Sequence, residues 1–340
     1  MRRSWLAGMW IVIAIAMTQS LPAAGKASTN HLFPARDTNG SYGFINEHGA
    51  WVFPPIFDLA GSFSEGFAPV WYQNRVGYID TYGNLAIPYR FQYGRPFVED
   101  RAEVELDGRW GFTRTDGSFA IEPRFDDVGS FHDGLASVRE GSRWGFVNPE
   151  GELVITPRFR YARSFSGDIG FACNDQCGLI DRSGRWLLAR CFSGLGEPAD
   201  TLAAVLSGNR WGYLDIRTGE VVIGFRYERA YPFAEGLAAV RVDQKWGYID
   251  RTGTFVIPPQ FFQEPELHGE PMPPASTFVN GIAAVRFEGK WGYINRAGMF
   301  LIAPKFVGAS NFRDGLASAC TSDRCGYINF DGVFVWSRPR

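Results

Sequence analysis

The chain has 340 residues, 34 of them basic and 36 acidic, with 45% apolar content, 40 glycines and 29 phenylalanines. Charge so nearly balanced gives no general attraction to nucleic acid or anionic lipid, and the apolar fraction is that of a globular chain. Both the glycine and the phenylalanine excess are periodic.

At the N-terminus, Arg2 and Arg3 precede the apolar run Leu6 to Met17, LAGMWIVIAIAM, followed by polar TQS, Pro22 and the small residues Ala23, Ala24 and Gly25. Twelve apolar residues are few for a bilayer span. The order basic, apolar, small predicts a signal peptide over residues 1–27, cleaved between Ala23 and Ala27, with an uncleaved anchor as the alternative. The expected location is periplasmic or extracellular, with no membrane contact after leader removal. No cysteine near the leader could accept a lipid. Removing Arg2, Arg3 and Lys26 leaves 31 basic against 36 acidic residues, a net charge of −5.

From residue 28 to 340 the chain reads as one repeat array. A hexapeptide of the type KWGYID recurs nine times, with its glycine at Gly43, Gly77, Gly111, Gly145, Gly178, Gly212, Gly247, Gly292 and Gly326, at spacings of 34, 34, 34, 33, 34, 35, 45 and 34. Within one unit, Leu237–Val242, Lys245–Asp250 and Thr254–Ile257 are three predicted strands. Asp250 to Gly253 is a turn in which the Asp bonds the backbone ahead and the glycine takes positive φ. The same turn recurs at Asn46–Gly49, Asp80–Gly83, Asn148–Gly151, Asp181–Gly184, Asn295–Gly298 and Asn329–Gly332. Each unit is thus expected to be a three-stranded meander, closed by a Pro-rich segment unable to continue as a central strand.

In the second strand Trp246 and Tyr248 share one face, and Gly247 and Ile249 the other, since side chains alternate along a strand. Both faces are built for burial, and in a tandem array the neighbouring unit supplies the cover. The Trp-Gly pair is therefore expected to act as a knob and a hole between units, and the aromatics as packing rather than sugar-stacking platforms.

The Trp-Gly motif at this spacing, the D-x-x-G turn, an I-x-P-x-F element such as Ile121 to Phe125 or Ile302 to Phe306, and an F-x-(E/D)-G-L-A element such as Phe131 to Ala136 resemble the WG (KWG) β-repeat family. All nine units match in part; Cys177 and Cys325 replace the Trp in the fifth and ninth, and Tyr42 and Val76 in the first two. The resemblance implies a bacterial protein of tandem β-units with no generally assigned activity, and offers no catalytic residues to carry over.

Cys173 precedes Cys177 in ACNDQCG, and Cys320 precedes Cys325 in ACTSDRCG, so both pairs straddle the turn between the first two strands. In the fourth unit the equivalent residues, Arg139 and Trp144, lie across from each other in the meander. Disulfides Cys173–Cys177 and Cys320–Cys325 are predicted, favoured by export to an oxidising compartment. No histidine lies near enough to suggest a metal site. Cys191 is left either buried and inert or available to another chain.

The four histidines, His31, His48, His132 and His268, occupy unrelated phases of the repeat, and no catalytic triad, metal cluster or phosphate loop stands out. No catalytic, cofactor-binding or metal-ligating residues are therefore assigned. Acids before glycine at Glu65, Asp133, Glu235 and Asp314 are read as turn formers. Two basic columns recur: Arg109, Arg143, Arg210, Lys245, Lys290 and Arg324 before the Trp or Cys, and Arg90, Arg124, Arg158, Arg226 and Lys305 before an aromatic. Stacking would align each as a stripe able to contact an anionic polymer or acidic protein face; the alternative is local pairing, or cover for an aromatic. The seventh unit carries an acidic, Pro-rich insert at about 263–277, read as a contact loop or a plain surface extension.

Three strands per unit, nine units, and termini falling at whole units together predict an all-β, open superhelical solenoid, with a closed β-propeller as the alternative. The expected function is a non-catalytic, exported binding or scaffolding protein of the bacterial envelope, whose partner is another protein or an envelope polymer. The rival expectation is a hydrolase of envelope polymers using acids such as Glu235 or Asp133, but a catalytic carboxylate pair should break the repeat pattern, and these follow it.

Overall fold

The computed structural model describes residues 31–175, 177–192, 194–196, 201–262 and 275–340. The predicted leader, residues 263–274 of the insert, His268 and the side chain of Cys191 lie outside the described residues. No helix among the described residues is long and apolar enough to cross a membrane.

Nine antiparallel sheets follow one another along the chain. They cover residues 33–57, 59–91, 93–125, 127–159, 161–192, 194–227, 229–262, 275–306 and 308–339, here blades 1 to 9. In blade 4 the strands are Asp127–His132, Leu135–Glu140, Arg143–Val147 and Leu153–Phe159, each paired with the next in sequence. Most first strands are much shorter; that of blade 2 is Leu59–Ala60. Blade 1 has three described strands, and blade 8 has three plus a single bridge from Ala275 to Val285.

The blades form a closed ring, which overturns the expected open solenoid; the chain is a nine-bladed β-propeller. Phe33, Ala35 and Ile45 of blade 1 share a buried cluster with Leu316 of blade 9, with Tyr327, Val335 and Trp336 packed against it. Trp51 meets Trp336 edge to face at 5.9 Å, and Tyr327 donates to the Pro34 carbonyl at 2.9 Å. The termini do fall at whole blades, but closure needs no shared blade: the two end faces are apolar and bury each other. The count of three strands failed because the first strand of most blades is two residues long, below any readable periodicity.

The prolines, too, sit differently. They lie within the fourth strand, as in Phe119–Phe125, which runs on through Pro123 to an aromatic. It is an edge strand with a bulge against its partner, and an edge tolerates the missing N–H. That bulge explains the glycine of the Trp-Gly pair. A Cβ at Gly111 would stand 2.5 Å from the Ile121 carbonyl and 2.6 Å from the Pro123 nitrogen; at Gly43 it would meet the Phe53 carbonyl at 2.5 Å. The hole is filled by the blade's own fourth strand rather than by a neighbour.

Burial on both faces holds as expected. Trp246 and Tyr248 join the cluster shared with blade 8, and Ile249 the cluster shared with blade 6. The D-x-x-G turns form as read: the Asp250 carboxylate accepts from the Thr252 and Thr254 amides, and the Gly253 amide donates to the Asp250 carbonyl. In blade 5 the equivalent Asp181 carboxyl is held down at about 2, chiefly by the Ser183 hydroxyl.

Candidate binding site at the blade seam

Sheet hydrogen bonds stay inside each blade, so the joints between blades rest on side chains, and three repeated devices make them. The first is a tyrosine or phenylalanine two residues after the Trp. Tyr78, Tyr213, Tyr248 and Tyr293 donate to carbonyls of the next blade at Arg95, Tyr231, Ser276 and Ser310, over 2.7–2.9 Å. Burial pushes the pKa of all four hydroxyls up. Tyr327 makes the same bond across the ring closure, and burial raises its pKa to about 12.

The second device is the basic column before the aromatic. Arg124, Arg158 and Arg226 donate to the carbonyls of Gly151, Gly184 and Gly253 in the next blade at 2.6–2.7 Å, Lys305 to Gly332 at 3.0 Å, and Arg90 to Gly117. Each also lies over its own aromatic, as Arg124 does over Phe125 at 4.9 Å. The other basic column opens the third strand, beside the end of the fourth. There Arg109 pairs with Asp126, Arg143 and Arg210 reach carbonyls at Arg158 and Arg226 (3.4 Å), Lys245 covers Phe262, Arg324 covers Phe334, and Lys290 is exposed.

The third device is the F-x-(E/D)-G loop, which sequence reasoning read only as a turn. Its acids do adopt left-handed backbone, with φ of 51° at Glu65, Glu99, Asp133, Glu235 and Asp314. The carboxylates of four of them also reach the same loop of the following blade. Glu65 accepts from the Glu99 and Asp100 amides, Glu99 from Gly134, Asp133 from Gly167 and Glu235 from Gly281, all within 2.7–3.0 Å. The signal was present as an acid in five of the nine repeats, but only the neighbouring blade reveals the partner. The loop phenylalanine packs against the aromatic of the preceding blade at seven joints, with centroids 4.8–5.1 Å apart, from Phe44–Phe63 to Tyr293–Phe312.

At the joint of blades 9 and 1 the pattern changes. Cα pairing sets Ala35 against Gly43 as it sets Val70 against Gly77. Tyr327 meets Phe33 instead, at 5.5 Å. A cavity of about 810 Å³ opens there, lined by residues that include Phe33, Phe63, Phe312, Tyr327, Glu65, Asp314, His31 and Arg313. Arg313 spans the gap, its guanidinium 3.5 Å from the Phe63 carbonyl in blade 2. Asp314 faces His31 at 3.4 Å and Arg313 at 3.6 Å.

Both predicted disulfides are present, Cys173–Cys177 and Cys320–Cys325, each joining directly opposed residues of the second and third strands. Such bonds fit an oxidising compartment. Among the described residues no group of three or more His, Cys, Asp or Glu side chains is placed to hold a metal ion.

Eight segments, residues 42–70, 77–110, 110–144, 144–176, 211–246, 246–261, 275–291 and 291–325, match the model of the WG containing repeat. No curated protein matches the chain. Among solved structures, the chain is similar to one described as the crystal structure of the eukaryotic initiation factor, at 11% identity and a TM-score of 0.63, covering 92% of this chain and 96% of that one. Likenesses to dihydro-heme d1 dehydrogenase NirN in complex with DHE (12% identity, TM-score 0.47, 96% and 76% covered) and to KlHsv2 with loop 6CD replaced by a Gly-Ser linker (9%, 0.45, 81% and 94%) are too loose to bear on the argument.

Proposed function

We propose, from the premise that this chain belongs to the WG containing repeat family, that it is an exported, non-catalytic binding or scaffolding propeller of the bacterial envelope. The observation that carries the reading is the use made of the polar columns. Four acids of the F-x-(E/D)-G loops accept backbone amides from the next blade, and five bases hold the next blade's turn. A hydrolytic site needs carboxylates released from structural work, at a position the repeat does not dictate. What is left irregular is the seam cavity, within the size range of small-ligand and peptide sites and lined by aromatic residues with a few polar ones.

The disulfides and the basic-apolar-small leader support export. The partner is another protein or an envelope polymer. Crosslinking the protein in an envelope extract, followed by pulldown, is expected to recover a defined partner, and N-terminal sequencing of exported protein to find a start between Ala23 and Ser28. Hydrolysis of an envelope polymer, abolished by one carboxylate substitution such as Asp133→Asn, would overturn the non-catalytic reading.

A further inference from the structure

We infer that Asn39 is a site of spontaneous deamidation, converted through a succinimide to aspartate and isoaspartate, and that the contact between blades 7 and 8 protects the chain's other Asn-Gly pair, Asn280-Gly281, from the same reaction. This chemistry is independent of whatever the propeller binds.

The reaction needs an asparagine followed by a residue that does not crowd the attack, and glycine crowds it least. The backbone nitrogen of Gly40 loses its proton to hydroxide and attacks Cγ of Asn39, closing a five-membered ring. The bond from Cγ to Nδ2 breaks, and the amide nitrogen leaves as ammonia with a proton taken from water. Water then adds at one of the two ring carbonyls. Aspartate results when the Gly40 nitrogen parts from Cγ, and isoaspartate when it parts from the carbonyl carbon of Asn39.

The two Asn-Gly pairs are matched in most respects. Both asparagines are exposed, and both glycines have left-handed backbone, with φ of 96° at Gly40 and 76° at Gly281. They differ in what holds the attacking nitrogen. The Gly281 amide donates to the Glu235 carboxylate of the preceding blade at 2.9 Å, and Arg296 of its own blade donates to the Glu235 carbonyl at 2.7 Å. A carboxylate on an N–H opposes loss of that proton, because a second negative charge would form beside the first, and the charge-assisted bond must break before the nitrogen can turn toward Cγ. The Gly40 amide has a neutral acceptor, the Asp37 carbonyl, at 3.3 Å, beyond the usual range for such a bond. The Asp37 carboxylate is engaged elsewhere, by the Ser41 amide at 2.8 Å and by Asn39 Nδ2 at 3.3 Å.

Asn39 lies in the turn between the strands Phe33–Arg36 and Tyr42–Ile45, a hairpin whose residues Phe33, Ala35 and Ile45 pack on blade 9. Aspartate there adds a negative charge close to Asp37, and isoaspartate lengthens the backbone of a turn closed by the Asp37 amide on the Ser41 carbonyl.

The test follows both sites by peptide mapping and mass spectrometry during incubation of the full chain in mildly alkaline buffer, with the same chain denatured in urea as the reference. Each converted peptide is recognised by its mass gain and by its separation into two isomers. In urea the two sites are expected to react alike. In the folded protein Asn39 is expected to convert at least about tenfold faster than Asn280, the factor that corresponds to one hydrogen bond to a charged group. Glu235→Ala is expected to bring Asn280 toward its denatured rate and to leave Asn39 unchanged, with Glu235→Gln, which keeps an acceptor without the charge, falling between. A rise shared by Asn39 reports loss of the fold, and Glu235→Gln then decides. An Asn39 that stays intact while its denatured counterpart converts would overturn the inference, as would an Asn280 that reacts as fast as Asn39 or is indifferent to both Glu235 variants.

Discussion

Blade 4 and blade 9 are built to one plan from different chemistry. In blade 4, Arg139 lies opposite Trp144 across the second and third strands, its guanidinium 5.8 Å from the indole. In blade 9 the same opposed positions are Cys320 and Cys325, joined covalently. Two residues on, Phe146 of blade 4 packs on Phe165, whereas Tyr327 of blade 9 adds a hydrogen bond to the carbonyl beyond it. The position before the glycine thus asks for a clasp between two strands near their turn, and a cation over a ring or a disulfide both provide it. The glycine is what cannot vary, because another piece of backbone occupies the space of its side chain.

The largest effect should come from that shared element. Gly145→Val sets a branched side chain against the Ile155 carbonyl, 2.3 Å from an ideal Cβ, and backbone there has little room to yield. Overpacking of this kind is expected to cost about 3 kcal/mol, read as a shift in the urea midpoint. Gly43→Val should cost about as much, since its obstacle is also its own blade. A distinctly smaller loss at Gly43 would restore the neighbour as the source of the constraint.

Next comes the clasp. Each disulfide closes a loop of only a few residues, so removing Cys320–Cys325 with a Cys320→Ala, Cys325→Ala pair should cost about 1 to 3 kcal/mol in denaturant melts. Installing Cys320→Arg with Cys325→Trp should recover part of that loss if the two solutions are equivalent. Protein denatured without reductant should titrate as one free thiol, and as five after reduction; five at the outset would remove the disulfides from the comparison.

Tyr327→Phe makes blade 9 resemble blade 4 at the joint and should cost about 1 kcal/mol at neutral pH, the worth of one hydrogen bond. The variant also predicts a pH effect. Burial raises the folded pKa of the Tyr327 hydroxyl to about 12, from the ordinary tyrosine value of 10.0. Below pH 10 both states keep the proton; between the two values the unfolded chain loses it first, so stability falls as pH rises. Chemical denaturation at about pH 9 and about pH 11 should show a steeper fall in the parent than in Tyr327→Phe.

The smallest effect is expected at Arg139→Ala, about 0.5 to 1 kcal/mol, since the cation over Trp144 is partly exposed. Its bonds to the Gly141 and Asp126 carbonyls go with it. No measurable change would assign the clasp to the indole alone.

Much of this was readable in the residues. The period, the D-x-x-G turns, the two buried faces and both disulfides follow from local pattern, because a turn or a cross-strand pair is settled within a dozen residues. Ring against stack was not, since the closing contacts of Tyr327 with Pro34 and Trp336 with Trp51 join positions nearly 300 residues apart. The short first strands escaped for a different reason: two residues such as Leu59 and Ala60 carry no alternation to read. The two basic columns were visible as columns, but Arg124 finds the Gly151 carbonyl only when the next blade is set beside it. Nothing in the local order of residues announces a cavity; its walls come from blades 1, 2, 8 and 9, which only the ring brings together.

The confinement of strand pairing within each blade has a mechanical consequence. A pull that separates Phe33 from Pro339 loads the contact between blades 9 and 1 first, where side chains alone resist. Once that contact parts, every further blade meets the load as a sheet peeled strand from strand, its bonds broken one after another rather than together. The ring should therefore yield at a low first force and then extend in nine similar steps. Two of them would be shortened by loops that the cystines of blades 5 and 9 keep from paying out.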